Sequence, residues 1–163
     1  MTVLSIPGMP HSGKIVVQTR CGNDIPNTQV HELTAYHLHT IHLLEKQYPQ
    51  AEFKPKFIPI YNCHGMTFAA RRTGIFEGLS VRQILREDKY AEIDRLETLP
   101  GDIIVYFDDR GDVEHSGFVL EKPKPPVYYP RIVSKWGHGP EATHFANHCP
   151  YSLGDVHYFR INE

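Results

Sequence analysis

The pattern of apolar positions divides the chain into a helix-bearing first part and a strand-bearing second part. Val30, Leu33, His37, Ile41, Leu44 and Tyr48 recur at helical spacing and predict a helix over 30–48 with one buried face, ended by Pro49. Ahead of it, Ile15-Val16-Val17 lies between Ser12-Gly13 and Cys21-Gly22-Asn23-Asp24, which predicts an edge strand between loops. Pro55 and Pro59 hold 53–60 extended. From 61 to 74, small and apolar residues at helical spacing predict a second helix, with Gly74 just past its end. Ser80 followed by Gln83 resembles a capping box for a short helix over 81–87.

Beyond Pro100-Gly101-Asp102, a strong turn signal, the period changes. A continuous apolar run over 103–107, a turn at Asp108-Asp109-Arg110-Gly111-Asp112 and a second run over 114–120 predict a β-hairpin. The Arg-Gly-Asp tripeptide at 110–112 is read as turn chemistry, and its acidic cluster lacks the spacing of a calcium loop. Further strands are predicted over 128–136 and 156–161, with Pro123, Pro125 and Pro126 as a rigid connection. Helices first and an antiparallel sheet afterwards define an α+β fold. With 163 residues, no internal repeat and no interdomain linker, one domain over 1–163 is expected. Within it, 1–50 form a loop and helix extension and 51–163 the core.

Composition narrows the partners. A net charge of -2 gives no general attraction to nucleic acid or anionic membranes, and Arg71-Arg72 alone make no basic stripe. No apolar run is long enough to span a membrane, and no signal peptide is recognisable at the start. A cytoplasmic location is therefore expected, with export by a specialised route left open. Three scattered cysteines, Cys21, Cys63 and Cys149, are an odd number without a CxxC pair, which fits a reducing compartment. Oligomeric state leaves no mark on the sequence.

The chemistry centres on Tyr61-Asn62-Cys63-His64-Gly65. A thiol in the first turn of a helix feels the positive end of the macrodipole, which favours the thiolate. Downstream, the hairpin carries His115-Ser116-Gly117-Phe118-Val119, an imidazole with small neighbours. Such a ring can activate a thiol and later protonate a leaving amine. Eleven histidines raise the prospects of acid–base chemistry and of metal binding together. His144 and His148, four apart with Cys149 adjacent, offer a helical zinc spacing, but no glutamate follows His144 and Pro150 crowds the segment. His39 and His42 read as part of a polar helix face.

The succession of Asn62-Cys63-His64-Gly65, Gly101-Asp102-Ile103-Ile104-Val105-Tyr106 and His115-Ser116-Gly117-Phe118-Val119 resembles the papain-like NlpC-type and CHAP-type cell-wall peptidases and amidases. The resemblance covers roughly residues 60–136. It implies a Cys-bearing helix packed on a small antiparallel sheet, Cys63 as nucleophile, His115 as general base and no cofactor. Its substrates would be peptides or cell-wall peptides. The departure from the usual Asp-Cys-Ser-Gly context bears on the substrate more than on the chemistry. The oxyanion is expected on the Cys63 N–H, with Asn62 or Tyr61 as second donor. The residue orienting His115 is expected on the following strand, where Ser134 is the short hydrogen-bonding side chain, with His144 as its rival. A metal-binding protein and a non-catalytic binding module are the alternatives.

Overall fold

The structure, a computed structural model, describes residues 13–162. The Pro- and Gly-rich start over 1–12, read as loop, lies outside the described residues. Three helices and seven strands alternate as α1 (Ala35–Gln47), β1 (Glu52–Phe53), α2 (Cys63–Phe68), α3 (Gly78–Glu87), β2 (Tyr90–Ile93), β3 (Ile103–Phe107), β4 (Val113–Glu121), β5 (Arg131–Lys135), β6 (Glu141–Phe145) and β7 (Asp155–Ile161). The strands form one antiparallel sheet in the order β1-β6-β5-β4-β3-β7-β2. The arrangement is α+β. No helix among the described residues is long and apolar enough to cross a membrane.

The hairpin forms as the apolar pattern predicts, with Ile103 opposite Phe118 and Tyr106 opposite His115. The last strand, β7, returns to pair with β3 and places β2 at the edge. Alternation along β3 sends Val105 and Phe107 to one face, where α3 supplies Val81 and Leu85. Ile104 and Tyr106 go to the other face, joining Val119, Ile132, Trp136 and Tyr158 in a second cluster. Tyr48 and Leu44 of the α1 region pack against that second cluster, so the sheet is covered on both sides.

Several predicted boundaries move. Helix α1 starts only after Thr34, whose hydroxyl accepts from the His37 N–H while the His37 ring accepts from the Thr34 N–H. No α1 residue is fully buried, so its apolar stripe rests on the core rather than inside it. Helix α3 begins two residues before Ser80, and Ser80 is a buried residue within it rather than its cap. The run at 15–17 forms no regular strand; isolated bridges flank it, Gly13 with Gln29 and Gln18 with Asp24.

The largest correction concerns the central helix. It spans six residues and stops at Phe68 rather than running on toward Gly74, because Ala70 and Arg71 turn into the left-handed region with φ of 49° and 63°. Gly74 is not a helix cap; it bridges Thr28. The chain instead doubles back so that the Thr73 carbonyl lies against Gly65. A Cβ at Gly65 would sit 1.7 Å from that oxygen, so only glycine fits there.

Candidate active site

Asn62 sets where α2 begins. Its Oδ1 accepts from the backbone N–H groups of Gly65, at 2.9 Å, and Ile75, at 3.0 Å, and its Nδ2 donates to the Ile75 carbonyl at 2.6 Å. One amide thus caps the helix and ties down the returning strand of chain. Cys63 follows as the first helical residue, buried. Burial pushes its thiol up to about 11, although the backbone N–H groups of Ser116, His64 and Cys63 itself pull the other way. The expected thiolate is therefore not the resting form. A six-residue helix aligns too few peptide dipoles to offset the loss of water around the sulfur.

Helix α2 faces β4 through Ser116. The Ser116 hydroxyl donates to Thr67 Oγ1 at 3.1 Å and contacts His64 Nδ1 at 2.8 Å, and Thr67 in turn donates to the Cys63 carbonyl. Burial holds His64 down to about 4, so it is neutral. His115, one residue earlier on β4, turns to the opposite face of the sheet. There it lies tilted beside Tyr106 and stacks on Tyr151, ring centroids 3.5 Å apart and planes 9° from parallel. Both His115 ring nitrogens are buried and have no hydrogen-bond partner. Burial, reinforced by the charges His64 and His144 would carry, keeps its pKa well below the ordinary histidine value.

No hydrogen bond joins Cys63 to His115. The imidazole is instead covered by the Tyr151 ring. Burial keeps the Tyr151 phenol protonated.

The other predicted site residues are engaged elsewhere. Asn62 spends its oxygen on two backbone N–H groups and one of its two amide hydrogens on the Ile75 carbonyl. Tyr61 donates its hydroxyl to Glu141 Oε1 at 2.7 Å, and burial together with Glu141 raises it to about 12. Ser134 and His144 bond each other, Oγ to Nε2 at 2.8 Å, and Trp136 Nε1 donates to the same Ser134 oxygen. Neither therefore orients His115. His144 sits in strand β6 rather than a helix, and Cys149 points its thiol at the Ala146 carbonyl. The helical zinc spacing is lost, and no group of three metal-ligating side chains occurs among the described residues.

Polar residues that the sequence did not single out build the walls of this region. Burial works against the Glu141 carboxylate, yet hydrogen bonds from Arg71, Lys54 and Tyr61 outweigh it and bring Glu141 to about 2. Lys135, buried beside it, donates to the carbonyls of Ile58 and Gly139 and lies 4.3 Å from the Tyr61 ring. Burial brings its amine down to about 8. This network fixes the approach to α2 from β5 and β6. Tyr151, stacked on His115, carried no periodicity or motif that would mark it.

No family model matches this chain, and comparison with curated proteins and with solved structures returns no match.

Proposed function

We propose that this chain is a cysteine hydrolase of amide bonds on a papain-like fold, with Cys63 as nucleophile and His115 as general base. The observation that carries the reading is the buried imidazole of His115, neither nitrogen bonded, stacked on the Tyr151 ring. A buried polar group without a partner costs about 1–3 kcal/mol, and such groups concentrate where chemistry needs them. Peptides, including cell-wall peptides, are the substrate class, following the motif resemblance.

The electrostatics favour one version of the chemistry. With the thiol raised to about 11 and the imidazole depressed, both groups rest neutral, and no thiolate–imidazolium pair is stored. His115 then takes the Cys63 proton as sulfur attacks the carbonyl, in the manner of a serine hydrolase. The C–N bond breaks as the imidazolium returns that proton to the amine, and water hydrolyses the thioester. The Cys63 N–H is one donor for the oxyanion. Orientation of His115 falls to Tyr151, whose ring face also favours the transient imidazolium. Bringing His115 to the sulfur requires its ring and Tyr151 to move together.

A non-catalytic binding module is the second reading, favoured by the same raised thiol. Peptide-cleavage assays on wild type, Cys63→Ala, His115→Ala and Tyr151→Phe separate the two. The hydrolase reading expects cleavage lost in the first two variants and largely kept in the third, where the stacking ring remains. Cleavage at the parental rate by Cys63→Ala would overturn it.

A further inference from the structure

A cavity of about 800 Å3 opens between the β2–β7 edge and the loop residues Tyr129 and Leu153. It shares no lining residue with the Cys63 region. Arg95 enters it with its guanidinium carbon 4.3 Å from the centre of the Tyr129 ring. Most buried or paired arginines here have a defined partner: Arg71 meets Glu141, Arg131 meets Glu52, and Arg160 meets Asp102. Arg95 forms no ion pair and no side-chain hydrogen bond with any described residue, and its Nε is buried without a partner. The Tyr158 phenol lies within reach of its charge.

We propose that this cavity binds a small zwitterion, a free amino acid or short peptide, through a carboxylate held on Arg95. With Arg95 over the Tyr129 ring and its Nη1 and Nη2 atoms bonded to no described residue, the outer edge of the guanidinium matches the two oxygens of a carboxylate. The rim decides against a multiply charged anion. Asp94 lines the cavity next to Arg95, and one of its oxygens is used by the Leu96 N–H, leaving the other for an ammonium group. Glu92 adds a second carboxylate to the lining, bonded at 2.5 Å to the His157 ring, which also meets Asp155 just outside the cavity at 2.6 Å. Phosphate meets this rim with repulsion; a ligand with one carboxylate and one ammonium does not. Ile93 and the exposed Leu153 supply an apolar wall for a side chain.

Calorimetric titration of the full chain with glycyl-leucine tests the site. Glycyl-leucinamide lacks the carboxylate, N-acetyl-leucine lacks the ammonium, and inorganic phosphate serves as the competing anion. The dipeptide is expected to bind, and Arg95→Gln or loss of its carboxylate is expected to weaken binding about tenfold or more. Asp94→Asn, which keeps the backbone cap, is expected to weaken the dipeptide and leave N-acetyl-leucine unchanged. No dipeptide binding at millimolar concentration, equal binding by Arg95→Gln with unchanged circular dichroism, or tighter binding of phosphate would each overturn the proposal. None of these outcomes depends on hydrolysis at Cys63.

Discussion

Cys63 shows how two opposing effects at one residue are decided by magnitude. The helix start favours the thiolate, worth up to about 1 kcal/mol at an ordinary terminus. Burial moves the thiol from 9.0 to about 11, which corresponds to roughly 3 kcal/mol against the anion. Burial wins, and it gives a direct expectation for reactivity. Iodoacetamide should modify the exposed Cys21 first, and labelling of Cys63 should keep rising with pH toward about 11. Peptide mapping after timed alkylation measures both sites in one sample. A Cys63 labelling curve that reaches its plateau near neutral pH would mean the sulfur is held as thiolate and would contradict the neutral pair. His115→Ala should leave that curve nearly unchanged, because no hydrogen bond links the ring to the sulfur.

At the scale of elements, what the sequence revealed depended on whether a segment's own pattern fixed its structure. The run Ile103-Ile104-Val105-Tyr106-Phe107 is buried at every position and was legible as a strand. Strand β6 was not legible, because Glu141 and His144 are polar yet buried. Their partners, Lys54, Arg71 and Ser134, come from other parts of the chain. The start of α2 at Cys63 was legible from its small residues, whereas its end was not. The doubling back at 69–73 is fixed by the Asn62 cap on Ile75 and by the Thr73 carbonyl against Gly65. Tyr151 reaches His115 only because β6 and β7 fix the ends of the loop that carries it. Gly65→Ala tests this packing: with Cβ 1.7 Å from the Thr73 oxygen, backbone must shift. A loss of about 3 kcal/mol or more in urea unfolding is expected. A loss below 1 kcal/mol, by roughly the scatter of surface substitutions, would mean that the 69–73 turn is loosely held.

For the whole molecule, three histidines on one sheet and its helix couple stability to acid. His64 and His144 are each held down to about 4 by burial, and His115 lies well below 6.5 for the same reason. The unfolded chain takes up protons at these rings near 6.5, before the folded chain does. Their contribution is thus complete above pH 6.5 and is lost as pH falls from there toward 4. At about pH 5 the loss amounts to roughly 2 kcal/mol for each ring with a folded value near 4. His157 works the other way: burial opposes its charge, but Glu92 and Asp155 raise its pKa, so it adds stability below its unfolded value. Urea midpoints across this range should fall with acid, and His144→Gln should flatten the slope. A midpoint independent of pH down to 4.5 would rule out buried neutral rings at these positions.

The central claim is that a substrate acyl group passes through the Cys63 sulfur. The direct measurement is the intact mass of the protein after reaction with an activated peptide ester and rapid quenching in acid. The account predicts a mass increase equal to the acyl group, mapped to Cys63, in wild type. It predicts none in Cys63→Ala, and a slower rise in His115→Ala, which removes the proposed base. An unmodified Cys63 under conditions where the ester is consumed, or an adduct that maps to Cys21 or Cys149, would contradict it.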